Sequence, residues 1–426
     1  MDIHVVQPGD TLYGLARRYG VPLDRLLWDN QLQDPSQLAV GQALVVQYPE
    51  ETLTLRPGET LREAARRGGL SLRQLLRNNP QLADGAAAGQ TLVLSFQQEK
   101  LGVLSVSGDA YPDIAPALLE RTLPFLTALS PFACTYDAGG VLSPPADRGM
   151  AGRAKAMGVR PLLLLANLLP DGSFSPELAH TLLTDGAVQG QLLASLLALY
   201  RREGFGGVDL DLEYVPGEDA AAYARFVSRL RERIAPLGGT VTVDLAPKTS
   251  ADQPGALYEG HDYRLLGQAA DFVFLMTYEW GHTYGPPMAV APLRNVRLAA
   301  EYAGREIPPQ KIWLGIPNYG YDWTLPYRQG SRARSLSNPE AVRLAYETQT
   351  AIRFDQAAQS PWFRYGDGEG REHEVWFEDP RSIRAKLDLA RKLGFRGVSY
   401  WNLMRPFPQN WTVLNALYQI READAP

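Results

Sequence analysis

From residue 100 to the C-terminus, short apolar runs alternate with longer stretches whose apolar residues recur at helical spacing. This alternation predicts βα units around a parallel sheet. Eight such runs in about 325 residues fit an α/β fold of the (β/α)8 barrel type. A doubly wound open sheet is the alternative, although no G-x-G-x-x-G turn supports it. The predicted strands span residues 102–107, 128–132, 160–166, 207–214, 240–246, 272–278, 312–317 and 397–401.

Helical patterns fill most of the segments between these strands, and one long connection breaks the alternation. Residues 319–379 are too many for an ordinary loop, and they contain strand-like pieces at 351–355, 362–365 and 374–377. We therefore expect a small α+β insertion at about residues 324–378, between strands seven and eight, which would wall one side of a cleft. The predicted helices span residues 114–125, 146–157, 188–203, 219–235, 263–269, 292–302, 380–393 and 413–420.

The N-terminal part has a different pattern, in which one unit occurs twice. Pro8-Gly9-Asp10-Thr11-Leu12 recurs as Pro57-Gly58-Glu59-Thr60-Leu61, and each unit is predicted to fold as strand, helix, helix and strand. We predict small modules at residues 1–48 and 49–97, followed by the barrel at 100–426. Because each module would have its own core, we expect few contacts across the boundary near residue 98.

The first unit resembles the LysM repeat, a module that binds glycans containing N-acetylglucosamine. The resemblance rests on the V-Q-P-G-D-T-L opening and on the later N-x-L, P and L-x-x-G-Q-x-L elements. It implies glycan contacts from Gly9, Asp10, Thr11, Leu12 and Pro35. The second unit is more divergent, so its glycan binding is left open.

Composition narrows the possible partners and cofactors. The formal net charge of −5 argues against nucleic acid as a partner and against a basic membrane-surface helix. No apolar run reaches the length of a membrane span, and the N-terminus shows no secretory signal pattern. Cys134 is the only cysteine, and the five histidines are scattered without metal-ligand spacing. We expect no metal, no cofactor, no membrane and a monomer.

Acidic residues alternate with apolar ones at the end of the fourth predicted strand. Asp209, Asp211 and Glu213 share one face, and the residues between them are apolar. On a buried strand, three neighbouring carboxylates are costly unless they are paired or partly protonated. This pattern favours a catalytic acid whose proton is held by a neighbouring carboxylate.

The carboxyl ends of the other predicted strands are polar and aromatic. Chemistry gathers at this end of a (β/α)8 barrel, and aromatic faces beside carboxylates are typical of sugar-binding clefts. Strand five ends in Asp244 and Lys248. The candidates for substrate binding on strands six to eight are Met276, Tyr278, Glu279, Trp280, Tyr319, Asp322 and Trp401.

Residues 206–213 resemble the D-G-x-D-x-D-x-E signature of glycoside hydrolase family 18, with Gly206 in place of the first acid. Met276, Tyr278 and Trp401 match further landmarks of that family. The resemblance implies a retaining mechanism in which the substrate's 2-acetamido oxygen is the nucleophile. It further implies that Glu213 is the acid/base, and that Asp211 contacts the acetamide N–H and shares a proton with Asp209. By the same resemblance, Tyr278 contacts the acetamide oxygen and Trp401 forms the floor of the cleft under the bound sugar.

Glu279-Trp280 stands where most members of the family have aspartate. Together with the insertion and the N-terminal repeats, this resembles the subgroup of bacterial endospore enzymes that degrade cortex peptidoglycan as N-acetylglucosaminidases. The resemblance implies a peptidoglycan substrate and a location in the spore coat or cortex; without it, a cytoplasmic or cell-wall location is expected. A chitinase with the same residues and a non-catalytic glycan-binding barrel remain as alternatives, although the presence of Glu213 disfavours the second.

Overall fold

Eight parallel strands close into a barrel, as the sequence pattern predicts. In this computed structural model, which describes residues 1–32, 34–145 and 149–423, the last barrel strand pairs with both the seventh and the first. This closure makes the fold a TIM barrel rather than an open sheet. The barrel strands are Val103–Ala110, Ala128–Pro131, Arg160–Ala166, Gly207–Asp211, Thr240–Leu245, Phe272–Leu275, Ile312–Pro317 and Gly397–Trp401.

Two strands end three residues earlier than predicted, at the end of the barrel where the candidate site lies. The fourth strand stops at Asp211 rather than at residue 214, and the sixth stops at Leu275 rather than at residue 278. Beyond these ends the backbone leaves the extended region, with φ of +54° at Tyr214 and +64° at Glu279. Left-handed backbone cannot continue a strand, so the chain turns out of the sheet there.

The helices around the barrel follow the apolar periodicity and the capping residues. In Gly186–Glu203, for example, Asp185 accepts hydrogen bonds from two backbone N–H groups at the start, and Gly204 ends the helix with φ of +65°. Part of one predicted helix, residues 146–148, lies outside the described residues. The helices are Pro116–Thr122, Met150–Ala156, Pro176–Thr184, Gly186–Glu203, Ala220–Ile234, Tyr263–Ala269, Leu293–Glu306, Pro380–Lys392 and Pro408–Leu417.

The insertion between strands seven and eight is a five-stranded antiparallel sheet with one helix, Asn338–Glu347. It begins at Gly320, earlier than predicted, because the G-Y-D-W-T-L segment is an insertion strand and not an extension of strand seven. The order across the sheet is Arg334–Leu336, Gly320–Leu325, Glu372–Trp376, Ser360–Gly366 and Arg353–Asp355.

The two N-terminal units have the same architecture, in which two helices pack on a two-stranded antiparallel sheet. The first consists of Asp2–Val5, Leu12–Tyr19, Leu23–Asn30 and Ala43–Val46. The second consists of Thr52–Thr54, Leu61–Arg67, Leu72–Asn78, a 3-10 turn Pro80–Asp84 and Thr91–Val93.

The first module packs against the barrel and the insertion, contrary to the expectation of few contacts. Thr412 Oγ1 on the last barrel helix donates to the carbonyl of Asp29 at 2.7 Å. The backbone N–H of Ile352 in the insertion donates to the carbonyl of Val40 at 2.8 Å. Val45 is fully buried and belongs to the same apolar cluster as the barrel core.

The second module is held by two buried arginines. The Arg73 guanidinium donates to the carbonyls of Gly158, at 2.9 Å, and of Leu126. Arg77 Nη1 donates to the carbonyl of Pro124 at 3.1 Å. These side chains are only 7% and 8% exposed, so the sequence expectation of separable modules needs correction: the arginines satisfy carbonyls of the barrel itself.

Among the described residues, no single helix has the length and apolar character needed to cross a membrane; the consecutive helices Pro176–Thr184 and Gly186–Glu203 meet those criteria only as a pair, which is bent by 96°.

Candidate active site

The three acids predicted from the sequence lie together at the carboxyl end of the fourth barrel strand. Asp209 and Asp211 are 2% and 5% exposed, and Glu213 follows two residues beyond the end of the strand. Ser130 Oγ, on the second strand, donates to Asp209 Oδ2 at 2.8 Å. The row of three acids therefore begins inside the barrel at Asp209 and ends near the carboxyl ends of the strands at Glu213.

Two further carboxylates join this row from other strands. Asp109 on the first strand and Asp244 on the fifth are 2% and 3% exposed. Asp244 stands out in the sequence only as part of a polar strand end, and Asp109 was missed. The sequence does contain a signal for Asp109, because Ser105, Ser107 and Asp109 are polar residues at alternate positions of the first strand. In the structure all three side chains are buried.

Burial and mutual repulsion keep protons on these acids. Burial raises the pKa of Asp209 to about 6 and that of Glu213 to about 7. The pKa of Asp211 lies well above its ordinary value, first because of burial and then because of repulsion from Glu213, Asp109 and Asp209. Groups this close titrate as a set. At neutral pH the cluster therefore retains protons, and Glu213 is poised near its own pKa.

An asparagine side chain holds the backbone of Glu213. The N–H of Glu213 donates to Asn167 Oδ1 at 3.0 Å, and Asn167 Nδ2 donates to the carbonyl of Glu213 at 2.9 Å. The same Nδ2 donates to the carbonyl of Ser175 at 2.8 Å, and Asn167 is fully buried. The side-chain amide of Asn167 thus makes the pair of hydrogen bonds that a neighbouring strand would make, at a point beyond the last residue of the fourth strand. Sequence reasoning missed Asn167, since a single asparagine leaves no periodic signal.

A buried histidine fixes the residue before Glu213. His261 Nδ1 accepts the backbone N–H of Ala246 at 2.9 Å, so its Nε2 carries the proton and donates to the carbonyl of Leu212, also at 2.9 Å. Burial lowers the pKa of His261 to about 4, so the ring is neutral at physiological pH. His261 thus ties the ends of strands four and five together, a role that the sequence did not reveal.

Tyr278 and Met276 follow the sixth strand at the open end of the barrel. Burial, followed by the charges of Asp244, Asp109, Asp211 and Glu213, raises the pKa of Tyr278 well above its ordinary value, so its hydroxyl stays protonated. Met276 is 9% exposed, and its N–H donates to the carbonyl of Leu245 at 2.9 Å.

Trp401 ends the eighth strand within an aromatic group on this side of the cleft. Its ring lies 5.0 Å from that of Phe132 and 6.0 Å from that of Tyr111, both edge-to-face. Tyr111 remains 37% exposed, and Trp401 is partly exposed. Such a surface offers ring faces to the C–H side of a sugar.

The hydroxyl groups of two tyrosines hold the carboxylate of Glu279. Tyr319 Oη and Tyr321 Oη both donate to Glu279 Oε1, the second at 3.1 Å. Tyr319 and Tyr321 belong to an aromatic cluster to which Trp401 is adjacent. Trp280 is half-buried, and its backbone N–H donates to the carbonyl of Val290 at 3.1 Å. The structure thus brings Glu279 and both tyrosines to one wall of the cleft.

Asp322 is placed differently from the sequence prediction. It is 4% exposed and accepts hydrogen bonds from Tyr365 Oη at 2.9 Å and Arg334 Nη2 at 3.2 Å, while His373 Nδ1 lies 2.9 Å from its other oxygen. It points to the face of the insertion strand opposite to Tyr321. We therefore assign Asp322 to the packing of the insertion, and correct its prediction as a substrate contact.

In the first N-terminal module, four of the residues predicted to bind glycan lie in the Pro8–Leu12 turn, and Pro35 lies in the connection between Leu23–Asn30 and Ala43–Val46. Asp10 Oδ2 accepts the N–H of Gln7 at 2.8 Å and lies 2.8 Å from His4 Nε2, and Thr11 Oγ1 caps the first helix. Leu12 is 1% exposed and its side chain packs in the core of the module, so a glycan contact at Leu12 would involve its backbone. Gly9 and Pro35 are exposed, and with Asp10 and Thr11 they remain predicted contacts.

No group of three or more histidine, cysteine, aspartate or glutamate side chains suited to a metal ion occurs in the described part of the chain.

Comparison with known proteins gives two family matches. The model of the glycosyl hydrolases family 18 matches residues 175–405, a span that includes Asp209, Asp211, Glu213, Tyr278 and Trp401. The LysM domain model matches residues 4–47, which is the first N-terminal module.

The chain is also similar to proteins of known name over its whole length. It is 39% identical to the cortical fragment-lytic enzyme of Bacillus subtilis (strain 168), over 99% of both chains. The crystal structure of the Bacillus cereus spore cortex-lytic enzyme SleL superposes with a TM-score of 0.84 at 36% identity, covering 99% of this chain and 98% of that one. A chitinase from Chromobacterium violaceum ATCC 12472 matches 74% of this chain and 99% of its own length, with a TM-score of 0.68 and 26% identity.

Proposed function

Because this chain belongs to the glycosyl hydrolases family 18 and carries an N-terminal LysM domain, we propose that it is an N-acetylglucosaminidase that cleaves peptidoglycan fragments with retention of anomeric configuration. The observation that carries the proposal is the row of Asp209 and Asp211, which are buried, and Glu213, which is half-buried, at the open end of the barrel. Full-length similarity to cortical fragment-lytic enzymes supports the choice of spore cortex as the substrate and as the location.

Glu213 acts first as the acid and then as the base. With a pKa of about 7 it keeps its proton near neutrality and can give it to the glycosidic oxygen. The 2-acetamido oxygen of the substrate attacks the anomeric carbon, and the glycosidic bond breaks as the oxazolinium ring closes. Glu213, now ionised, removes a proton from the water that opens this ring, so the configuration is retained.

The remaining acids support the positive intermediate. Asp211 accepts the acetamide N–H and offsets the charge that develops on the oxazolinium. Asp209, held by Ser130, shares a proton with Asp211, and Asp109 and Asp244 belong to the same proton-holding set. The protonated hydroxyl of Tyr278 donates to the acetamide oxygen, and Trp401 lies under the sugar ring.

The LysM module would hold the enzyme on insoluble glycan. Glycan contacts at Gly9, Asp10, Thr11 and Pro35 would add avidity to binding in the cleft, because both sites belong to one chain. Since the modules are docked on the barrel, the two sites keep a fixed relation to each other.

A chitooligosaccharide hydrolase is the second candidate, favoured by the 26% identity to the Chromobacterium violaceum chitinase. Both candidates use the same catalytic residues, so only the substrate separates them. A non-catalytic glycan-binding role is disfavoured by the presence of Glu213 and by its raised pKa.

The proposal is tested by proton NMR of the first product formed from an N-acetylated oligosaccharide. We expect the β-anomer to appear before mutarotation, and no cleavage of the same oligosaccharide after N-deacetylation. An initial α-anomer, or equal rates on the deacetylated substrate, would rule out acetamide participation.

A further inference from the structure

A loop of the insertion carries an unusual concentration of positive charge. Residues 326–334, which we name the arginine loop, contain Arg328, Arg332 and Arg334, and the sequence has no acidic residue between Asp322 and Glu340. The chain as a whole has a formal net charge of −5, whereas this loop carries three positive charges and no negative one. A local patch of this kind attracts anionic ligands.

The arginine loop is fastened to the rim of the barrel mouth. Tyr327 Oη donates to the carbonyl of Tyr284 at 2.7 Å, and the N–H of Ala333 donates to the carbonyl of Thr283 at 2.7 Å. Thr283 and Tyr284 lie in the loop that follows Glu279 and the sixth barrel strand. The hydroxyl groups of Tyr319 and Tyr321 reach that same Glu279, so the arginine loop borders the proposed sugar cleft.

The charges on this loop are available to a ligand. Arg328 and Arg332 are exposed, and among the described residues no carboxylate forms an ion pair with either. Arg334 is 64% exposed and makes one 3.2 Å contact with Asp322. Asp322 in turn is shared with Tyr365 and His373.

We propose that the arginine loop binds carboxylates of the substrate, and thereby selects acidic peptidoglycan fragments over neutral N-acetylated glycans. This inference rests on the proposed function and names the feature that would separate its two candidate substrates. A guanidinium matches a carboxylate with two parallel hydrogen bonds. Carboxylates occur on the peptide stem and, after removal of the stem, on the lactyl group of the muramic acid residue. A stem extends by roughly 3.3–3.6 Å per residue, so a few residues reach from a sugar in the cleft to its rim.

The test measures the affinity of three tetrasaccharides for the protein, for a variant of the arginine loop and for a control variant, all in the non-hydrolysing Glu213→Gln background. The ligands are a peptidoglycan tetrasaccharide with peptide stems, the same compound after amidase removal of the stems, and chitotetraose. Arg328→Gln with Arg332→Gln should weaken binding of at least one acidic ligand by about tenfold, because the variant removes two guanidinium groups that can each pair with a carboxylate. Chitotetraose affinity should change by less than about twofold, because it carries no carboxylate for the loop to bind.

The matched control is Arg201→Gln with Arg202→Gln, which removes the same charge at the C-terminal end of Gly186–Glu203, away from the barrel mouth. Loss with the stem-bearing ligand alone identifies the stem as the partner, and loss with the stem-free ligand alone identifies the lactyl group. The inference is wrong if neither acidic ligand is weakened, if chitotetraose is weakened equally, or if the control has the same effect. Because affinity is measured without turnover, a parent enzyme that hydrolyses nothing would refute the proposed function separately.

Discussion

At the scale of single residues, the account depends on where protons reside in a buried group of carboxylates. Desolvation acts on every member, and repulsion between neighbours adds to it, so the folded protein holds protons that free carboxylates lose near pH 4. Glu213 lies at the upper end of the group with a pKa of about 7, which suits a group that must donate a proton and then accept one.

Glu213→Gln should lower kcat on a soluble N-acetylated oligosaccharide by about 10²–10⁴-fold, because the amide keeps the shape of the side chain but cannot transfer a proton. Substrate affinity and the thermal unfolding midpoint should stay close to those of the parent. Glu203→Gln, at the far end of the barrel, is the control. Residual activity within tenfold of the parent would remove Glu213 from the role of acid.

Asp211→Asn should move the alkaline limb of the kcat profile to lower pH and reduce kcat strongly. Asp211 and Glu213 repel each other when both are ionised, so a neutral residue at 211 lets Glu213 lose its proton at lower pH. The variant also loses the negative charge that favours the oxazolinium. The measurement is kcat against pH for both enzymes. A variant with the parental rate and an unmoved limb would show that the row is structural.

Asp109→Asn should stabilise the protein, and increasingly so as the pH rises. Burial, followed by repulsion from Asp209, raises the pKa of Asp109 well above its ordinary value. The stability linked to this group is complete below the unfolded pKa of about 4 and declines as the pH rises above it, because the unfolded chain then releases a proton that the folded protein retains. Thermal unfolding at pH 4, 6 and 8 should show a growing gain in Tm. A difference that does not depend on pH would contradict the assignment.

At the scale of secondary-structure elements, the site exists because the fourth strand stops before its last acid. Asp211 is the last residue of the fourth strand that pairs with its neighbours. Beyond it, the side chain of His261 binds the carbonyl of Leu212, and that of Asn167 binds the backbone of Glu213. The backbone of Glu213 is thereby held beyond the end of the strand without a neighbouring strand.

Asn167→Ala should lower kcat by about ten- to hundredfold with little change in KM, because small displacements of a catalytic group are costly. Asn79→Ala is a matched control, since Asn79 makes the same pair of hydrogen bonds to Val93 in the second module, each at 2.8 Å. The control should reduce stability without changing kcat on soluble substrate. Equal effects of both variants on kcat would mean that Asn167 acts only through stability.

Many of the strands and helices could be predicted from the sequence. Strands 312–317 and 397–401 are predicted with their observed bounds, because each is an apolar run with clear limits. The sequence pattern does not assign the strand Gly320–Leu325 to the insertion, whose start is predicted near residue 324, because G-Y-D-W-T-L follows closely on the end of strand seven. Asn167 and His261 were missed because single polar residues carry no periodicity. The acid cluster draws its members from the first, fourth and fifth barrel strands, and this convergence depends on barrel closure, which no local pattern reveals.

At the scale of the whole molecule, the modules and the barrel form one packed unit. Arg73 and Arg77 look like solvated helix residues in the sequence, but the structure buries both against barrel carbonyls. Deletion of residues 1–97 would uncover those carbonyls and the apolar barrel surface that Val45 covers, so we expect the isolated barrel to be less stable than the full chain.

Arg73→Met should lower the Tm of the full chain by several degrees, because it leaves the carbonyls of Gly158 and Leu126 without their donor, at a cost of about 1–3 kcal/mol. Arg66→Met, at an exposed position of the same module, is the control. An unchanged Tm for Arg73→Met would show that docking contributes nothing to stability.

The central claim, that this chain is a glucosaminidase acting on peptidoglycan through Glu213, is tested most directly by the identity of the new reducing ends. Peptidoglycan fragments are digested with the parent and with Glu213→Gln, reduced with borohydride and analysed by mass spectrometry. We expect the parent to generate reduced N-acetylglucosamine ends and the variant to generate none. Reduced muramic acid ends, or N-acetylglucosamine ends formed equally by the variant, would contradict the account.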